Sequence, residues 1–599
     1  MMMCSILTLC VLACLRLCSA YPITASWFRD RYTIHDWNHT LLQFKAIGGD
    51  TVWQRAPPII RRSRNDLERD LNFIWCGSTN SSTGVAGTRC FDEAAQDLSA
   101  HGVKVAAFAT YQYEENFSDA IMVCPKFDRK IESSRIYYRL VLPTTPQSDP
   151  CNITSGSSVV VLFTSFAGTD PHELLLESAA ANNMSVYLGL PAVPASYDKS
   201  GFDEELMPAY YEFTSRVLLD HKSRYSHKIG GEVDRWTITR THHSDKAIKT
   251  ALHSSRSVFD VITGYYSTDE SCLAQLDTNS IYLQLYRNLG KAVHGVGKYF
   301  AISPFVDLNR SQLNATVDQH VQGFRNIVST AEVDIVAVQE GRGAGKGCYY
   351  WPNQLDTAVA EVDSKLDEII HYLSPTLEPN ITYRDAFTAS NQELFRQFGQ
   401  IQDARQKQGH QFEYWLNIEA FEYLRNDPCL LVDSMASGMG ELLQRTTKSR
   451  IDRALTAAGA TPKKIISFAW DSDFTCTTQQ YKYSLEAEIR QDSSRPIIAN
   501  CSFHSKANLS VVVIGYNLEG ETQGFVVEWT DREHKRHSDP VNGYYYEVDW
   551  GQRHNKVDTL VYIMLWDIPD MNQDLPAKGI VTVKANGAYH DCVFQYDYS

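Results

Sequence analysis

The 599-residue chain carries 56 Lys plus Arg against 71 Asp plus Glu, a net charge of −15 with histidine neutral. That balance argues against a nucleic-acid binder, which needs a cationic face. Hydrophobic residues at 43% and charged residues at 21% exclude disorder over most of the length, and 599 residues exceed what one core usually fills, so a large domain plus a smaller one is expected.

The first twenty residues, MMMCSILTLCVLACLRLCSA, hold an apolar run from Ile6 to Leu17 and small side chains at Cys18 and Ala20. This predicts a signal peptide over 1–20, cut before Tyr21, and hence a secreted, extracellular protein. No later run of 18 apolar residues occurs, so no further membrane-spanning helix is expected. Ten cysteines follow: Cys76, Cys90, Cys124, Cys151, Cys272, Cys348, Cys429, Cys476, Cys501 and Cys592. An even number in an exported chain reads as a disulfide set, with the sequence neighbours Cys76–Cys90 and Cys124–Cys151 as candidate pairs. Glycosylation sequons begin at Asn38, Asn80, Asn116, Asn152, Asn183, Asn309, Asn314, Asn380, Asn500 and Asn508.

Strand-like runs then recur in chain order with polar and helical material between them. They are ITASWF (23–28), TVWQRA (51–56), VYLGLP (186–191), VITGYYSTDE (261–270), YFAISPF (299–305), VDIVAVQE (333–340), EYWLNIEAF (413–421) and KIISFAWD (464–471). Several are continuously apolar, as in parallel strands buried on both faces. Helical spacing appears over 35–47, 356–373 and 435–458. Eight strands with intervening helices predict an α/β fold, a (β/α)8 TIM barrel over 21–490. Two further runs, 103–111 and 159–166, fall in a cysteine- and sequon-bearing stretch at about 60–180. This stretch reads as a disulfide-containing insertion, with room for one misassigned barrel strand inside it. A doubly wound sheet is the competing fold, but Trp27, Phe28, Arg29 and Asp30 stand where its glycine-rich turn belongs. After residue 495 six strand-like runs follow without helical material, predicting an antiparallel β-sandwich over 495–599, with Cys501 and Cys592 placed to staple its ends.

In such a barrel the reacting groups sit at the carboxyl ends of the strands. Asp269 and Glu270 end the fourth run, Glu340 the sixth, Glu419 lies near the end of the seventh, and Asp471 closes the eighth. A carboxyl group held beside a buried strand is partly desolvated, so one acid is kept protonated while another stays ionised. Two such groups across a cleft are what glycoside hydrolysis requires. Trp27, Trp53, Tyr265, Tyr266, Trp415 and Trp470 lie in or near the same strand ends, where flat rings either stack on sugars or fill the core.

The segments ITASWF, DTVWQRA, VYLGLP, GYYSTDE, AISPF, DIVAVQE, YWLNIEAF and SFAWD, in that order, resemble a little-characterised family of secreted barrel proteins, itself distantly similar to the large clan of retaining glycosidases. The resemblance covers about 23–475 apart from the insertion. It implies that Glu270 in STDE is the acid/base at strand four and Glu419 in NIEAF the nucleophile at strand seven, acting on polysaccharide or glycan chains. Where the clan has Asn directly before the acid/base, this sequence has Asp269. Asp269, Glu340, Trp470, Asp471, Tyr266, Gln54 and Arg55 are the substrate-binding candidates, Trp470 as a sugar platform.

Other motifs are weaker. GRGAGKG at 341–347 fails the phosphate-loop pattern because Gly347 stands where a hydroxyl is needed. His172 and Glu173 lack the second histidine of a zinc protease, no GxSxG occurs, and no EF-hand loop appears, so neither cofactor nor metal is expected. The reading is a secreted O-glycosyl hydrolase with a carbohydrate partner, no nucleic acid and no fixed oligomeric state. The alternatives are a non-catalytic glycan-binding or matrix protein on the same barrel, and an extracellular lyase or transferase.

Overall fold

The computed structural model describes residues 21–69, 87–132, 135–194, 202–227, 257–308, 315–341, 343, 356–373, 375, 377–423, 443–477, 482–505, 510–518, 524–546, 559–568, 571, 575 and 578–595. Eight strands close into a parallel barrel: β1 (Ile23–Phe28), β2 (Thr51–Gln54), β3 (Ser185–Gly189), β4 (Ile262–Tyr266), β5 (Tyr299–Ile302), β6 (Ile335–Gln339), β7 (Glu413–Glu419) and β8 (Lys464–Phe468). Each lies beside the next in the chain, and β8 closes on β1 through Ser26 opposite Ser467. These are the eight runs read from the sequence.

The barrel interior is a packed aromatic core rather than a pore. Trp27, Trp53, Tyr187, Tyr266 and Trp415 fill it, with small residues Ala25, Ala301 and Ala337 making room. Trp27 pairs in register with Trp53, and their ring centroids lie 4.8 Å apart, edge to face. Gly264 on β4 has no space for a side chain: an added Cβ would lie 2.5 Å from the Tyr299 carbonyl oxygen and 2.6 Å from the Tyr187 ring. Gly264→Ala is expected to cost about 1–3 kcal/mol by overpacking. A lowered urea midpoint checks it, and an unchanged midpoint refutes it.

Between β2 and β3 the chain builds a five-stranded sheet, in the order 59–62, 104–111, 158–166, 136–143, 129–132. Neither 103–111 nor 159–166 is therefore a barrel strand. Both faces of this sheet are buried. Phe108, Val141, Val159, Val161 and Phe163 pack under the helix Gly87–Ala100 through Ala94 and Leu98. Ala109, Tyr138, Leu140, Val160 and Leu162 join the main core of the barrel and its helices. Burial on both faces gives these strands the continuous apolar look of barrel strands. Arg216 of the helix Met207–Arg224 ties the sheet down through a buried ion pair with Asp128 at 2.8 Å.

The C-terminal region is two four-stranded antiparallel sheets around a shared core of Val511, Val513, Phe525, Val527, Val561, Ile563, Val581 and Val583. Cys501 of one sheet is joined to Cys592 of the other. The two cysteines are 91 positions apart, a constraint on the unfolded chain of about 4–5 kcal/mol in the chain-entropy view. Two strands of this sandwich escape the sequence reading. Ile497–Ser505 is one; the other is Arg536–Val541, a polar edge strand carrying Pro540, where no central ladder needs its missing N–H.

The Cys124–Cys151 bond is present, and Cys90 and Cys476 are each disulfide-bonded. Cys272 is buried with Sγ 3.9 Å from Nε2 of His320. Cys76, Cys348 and Cys429 lie outside the described residues, as do residues 1–20, over which the signal peptide is expected, and Asn80, Asn309, Asn314 and Asn508. Of the other sequon residues, Asn152, Asn183 and Asn380 are exposed, while Asn38, Asn116 and Asn500 are half-buried. Among the described residues no helix is long and apolar enough to cross a membrane.

Two helix expectations are corrected. The 356–373 pattern breaks at Asp363 into Val359–Val362 and Ser364–Leu373, the Asp363 carboxylate accepting the N–H groups of Lys365 and Leu366. The helix expected from Met435 begins at Lys448; Leu443–Arg445 is instead a short strand paired with Phe421–Tyr423, and 435–442 lie outside the described residues.

Candidate active site

The register puts Phe28, Gln54, Gly189, Tyr266, Ile302, Gln339, Glu419 and Phe468 at the carboxyl ends of the eight strands. The acids predicted from the sequence stand there or just beyond, and their surroundings differ sharply.

Glu419 is the last residue of β7 and is only 2% exposed. Its Oε2 accepts the N–H of Gly343, from the loop after β6. A charge-assisted bond of this kind favours the ionised carboxylate. A Cβ on Gly343 would lie 2.9 Å from that oxygen, so the approach needs glycine. Glu340, one residue past β6 and also buried, accepts the backbone N–H of Glu419 on Oε1 at 3.1 Å. The two glutamates of β6 and β7 are thus neighbours.

Asp269 and Glu270 follow β4 by three and four residues. Glu270 is exposed to solvent. Asp269 turns inward: both its oxygens take the Val193 N–H at 3.2 Å, and Ser267 Oγ donates to Oδ2 at 3.3 Å. Burial pushes its pKa up to about 7, over the opposing pull of those two donors, and the nearby Glu270 charge adds to the rise. Burial thus pushes Asp269, at the end of β4, toward its protonated form. Nothing in the sequence singled out which of two adjacent acids would be desolvated.

The remaining candidates scatter. Trp470 is 0% exposed and packs against Phe28, Phe44 and Phe474 at centroid distances of 5.8, 5.1 and 5.3 Å. It is core, and has no free face for a sugar. Tyr266 likewise lies inside the barrel, 3% exposed, with its ring 4.8 Å from that of Trp53. Asp471 is ion-paired with Arg31 and accepts the Arg29 N–H at 2.9 Å, which makes it a clamp on the β1 loop. Gln54 is fully buried and donates to Asp30 Oδ1 and to Tyr113 Oη, the latter at 2.9 Å. It joins β2 to the insertion rather than to the acids of β4 and β7. Arg55 is exposed, its guanidinium 5.1 Å from the centre of the Phe468 ring, and Phe468 is paired in register with Glu419. Arg55 also bears electrostatically on Tyr266, as do Glu270 and Asp269.

At the opposite, amino end of the barrel a cavity of about 540 Å³ is lined by Tyr187, Tyr299, Asp334, Glu413, Trp415 and Lys464 among others. Polar groups there read as support for the fold, since barrel active sites open at the other face.

Comparison with known proteins bears on this barrel directly. The family model described as Domain of unknown function (DUF4434) matches residues 155–480, more than half of the 599. The chain belongs to that family. A second model, Domain of unknown function (DUF8405), matches 62–166, the stretch that holds most of the inserted sheet. No curated protein matches the chain. Among solved structures it is similar to the intracellular xylanase TsXylA of Thermoanaerobacterium saccharolyticum, at 11% identity and a TM-score of 0.25, covering 56% of this chain and 78% of that one. A complex of a mutant of the same enzyme with xylotriose gives 10% and 0.26, over 58% and 84% of the two chains. A Cellulomonas fimi endo-beta-1,4-mannanase double mutant gives 9% and 0.24, over 72% and 83%. Likeness this slight assigns the chain neither activity nor substrate.

Proposed function

We propose that the protein is a secreted glycoside hydrolase that cleaves O-glycosidic bonds in a polysaccharide or glycan, using carboxyl groups from the ends of β4 and β7. The observation that carries this reading is the contrast between the two strand ends. Glu419 on β7 is buried and accepts the Gly343 N–H on Oε2, whereas β4 ends in a carboxyl whose pKa is pushed up to about 7. One acid ready to give a proton and one carboxylate ready to attack, or to activate water, is the pairing that acetal cleavage needs. In the retaining form of the mechanism Glu419 is the nucleophile and Glu270 or Asp269 protonates the leaving oxygen. Glu270 holds the position the resemblance implies, while Asp269 has the pKa of a general acid at neutral pH.

Export fits the two observed disulfides, Cys124–Cys151 and Cys501–Cys592, which persist in oxidising compartments. In this reading the C-terminal sandwich is an accessory domain. Trp27, Trp53, Tyr266, Trp415 and Trp470 are buried, so these rings serve the core under either a catalytic or a glycan-binding reading.

The test is release of reducing ends from a panel of plant, bacterial and animal polysaccharides and of protein-linked glycans. At least one substrate is expected to be cleaved by the wild-type protein and spared by Glu419→Gln. Cleavage undiminished in that variant refutes the assignment.

A further inference from the structure

Away from the acids of β4 and β7, three metal-ligating side chains meet where the inserted sheet joins the barrel. Glu115 follows the inserted strand Lys104–Tyr111, His172 is the second residue of the helix Pro171–Asn182, and His221 lies near the end of the helix Met207–Arg224. One ligand atom from each lies within 4.8 Å of the others, and all three residues are buried, each about 1% exposed. His172 carries no weight in the sequence because no second histidine follows it at metal-binding spacing; its partners are 57 residues before it and 49 after it.

We propose that Glu115, His172 and His221 form a Zn²⁺ site that fastens the inserted sheet to the barrel. The cluster leaves deeply buried polar atoms unsatisfied. Among the described residues, Nε2 of His172 and Oε2 of Glu115 have no hydrogen-bond partner, and Nδ1 of His172 meets the carboxylate only through its ion pair. Polar atoms so deeply buried are ordinarily satisfied. The Nδ1 atom of His172 stands 3.5 Å from Glu115 Oε1, close to the ~3.4 Å edge of a tetrahedron with metal bonds of about 2.0–2.2 Å. His221 binds the same carboxylate through Nε2 and must swing slightly outward to admit an ion, while its Nδ1 lies 3.1 Å from the Tyr265 hydroxyl. That contact is the outer support that fixes a ligating imidazole.

Asp30, Asp170 and Asp220 surround the cluster, and with Glu115 they make four acids. Arg224 is the guanidinium among them, bonded to Glu115 at 2.5 Å, to Asp220 at 3.0 Å and to Asp170. Arg31, which bears electrostatically on Asp30, is itself ion-paired with Asp471. A divalent cation would join Arg224 as counter-charge to Glu115 and its acid neighbours. Two imidazoles and one carboxylate favour zinc over Ca²⁺ or Mg²⁺, which take all-oxygen shells.

The experiment uses the full chain, stripped with a chelator, desalted and titrated with ZnCl₂ alone by calorimetry, with metal content measured after a second desalting. One equivalent is expected to bind and survive desalting, and CaCl₂ is not. The thermal midpoint should rise by about 3 °C at a hundredfold excess over Kd. His172→Asn should weaken zinc binding about 100-fold; it also removes the ion pair with the buried Glu115, so the zinc-free midpoint falls as well and the zinc affinity is the readout. Absence of stoichiometric zinc, or equal affinity in the variant, overturns the proposal. The latter result would leave a pair of protonated imidazoles as the counter-charge. Should His172→Asn fail to fold, Co²⁺ loading of the wild-type protein decides: intense visible bands of a four- or five-coordinate nitrogen–oxygen site support it, and the weak spectrum of six-coordinate Co²⁺ overturns it.

Discussion

Glu419→Gln is expected to lower the turnover of whichever glycan the protein cleaves by on the order of 10³-fold, with KM little changed. The substitution is nearly isosteric. The amide oxygen can still accept from Gly343, and the bond from the residue-419 N–H to Glu340 Oε1 is made by the backbone. Circular dichroism and the urea midpoint should therefore match the wild type, so that the lost rate, about 4 kcal/mol of barrier, is chemical in origin. Glu340→Gln tests the neighbour. Its carboxylate touches Glu419 through that backbone N–H, and its loss should reduce turnover far less. Equal turnover in wild type and Glu419→Gln would make the β7 carboxylate a structural anchor for the loop at Gly343. Equal losses in the two variants would mean that the buried pair acts as one unit.

The barrel was legible because its strands are covered on both faces, so that runs such as DIVAVQ and KIISF stand out as continuous apolar stretches. The same physics produced the one ambiguity. Val159–Phe163 looks like a barrel strand because Leu98 covers one face of its sheet and the barrel-side core the other. Sequence cannot tell which layer supplies the cover. The candidate site was legible only as positions along the chain. Acids at strand ends were visible; the direction each turns was not. Trp470 shows the difference. It follows β8 as a sugar platform would, but the tight turn at 470–474, with Ser472 at φ 64, sets its ring among Phe28, Phe44 and Phe474. Gln54 and Asp471 were drawn away by partners 24 to 442 positions distant, Asp30, Tyr113, Arg31 and Arg29, which no local pattern announces.

Asp269→Asn separates the two candidate proton donors and has a second, independent readout in stability. The free carboxyl titrates near 3.8 and the folded one at about 7, because burial disfavours its charge. Between about pH 4 and pH 7 the folded protein therefore holds a proton that the unfolded chain has released. Stability from this group is complete below about pH 4, falls as the pH rises through the window, and is flat above about pH 7. About three pK units correspond to roughly 4 kcal/mol across that range. The amide introduced by Asp269→Asn does not titrate, and its oxygen still accepts from Val193. The variant is expected to be about as stable as the wild type at about pH 4 and more stable at about pH 8, by an amount approaching that figure, in paired urea denaturations at the two pH values. A pH-independent difference would mean that the carboxyl is ionised in the folded protein. The rate readout then decides its role. If Asp269 is the donor, wild-type turnover declines above about pH 7 and the variant is inactive at every pH. If Glu270 is the donor, Asp269→Asn keeps most of its turnover and Glu270→Gln does not. The gain in stability on removing the acid is the same in both cases, because it reflects only what the fold expends to keep a carboxyl group out of water at the end of β4.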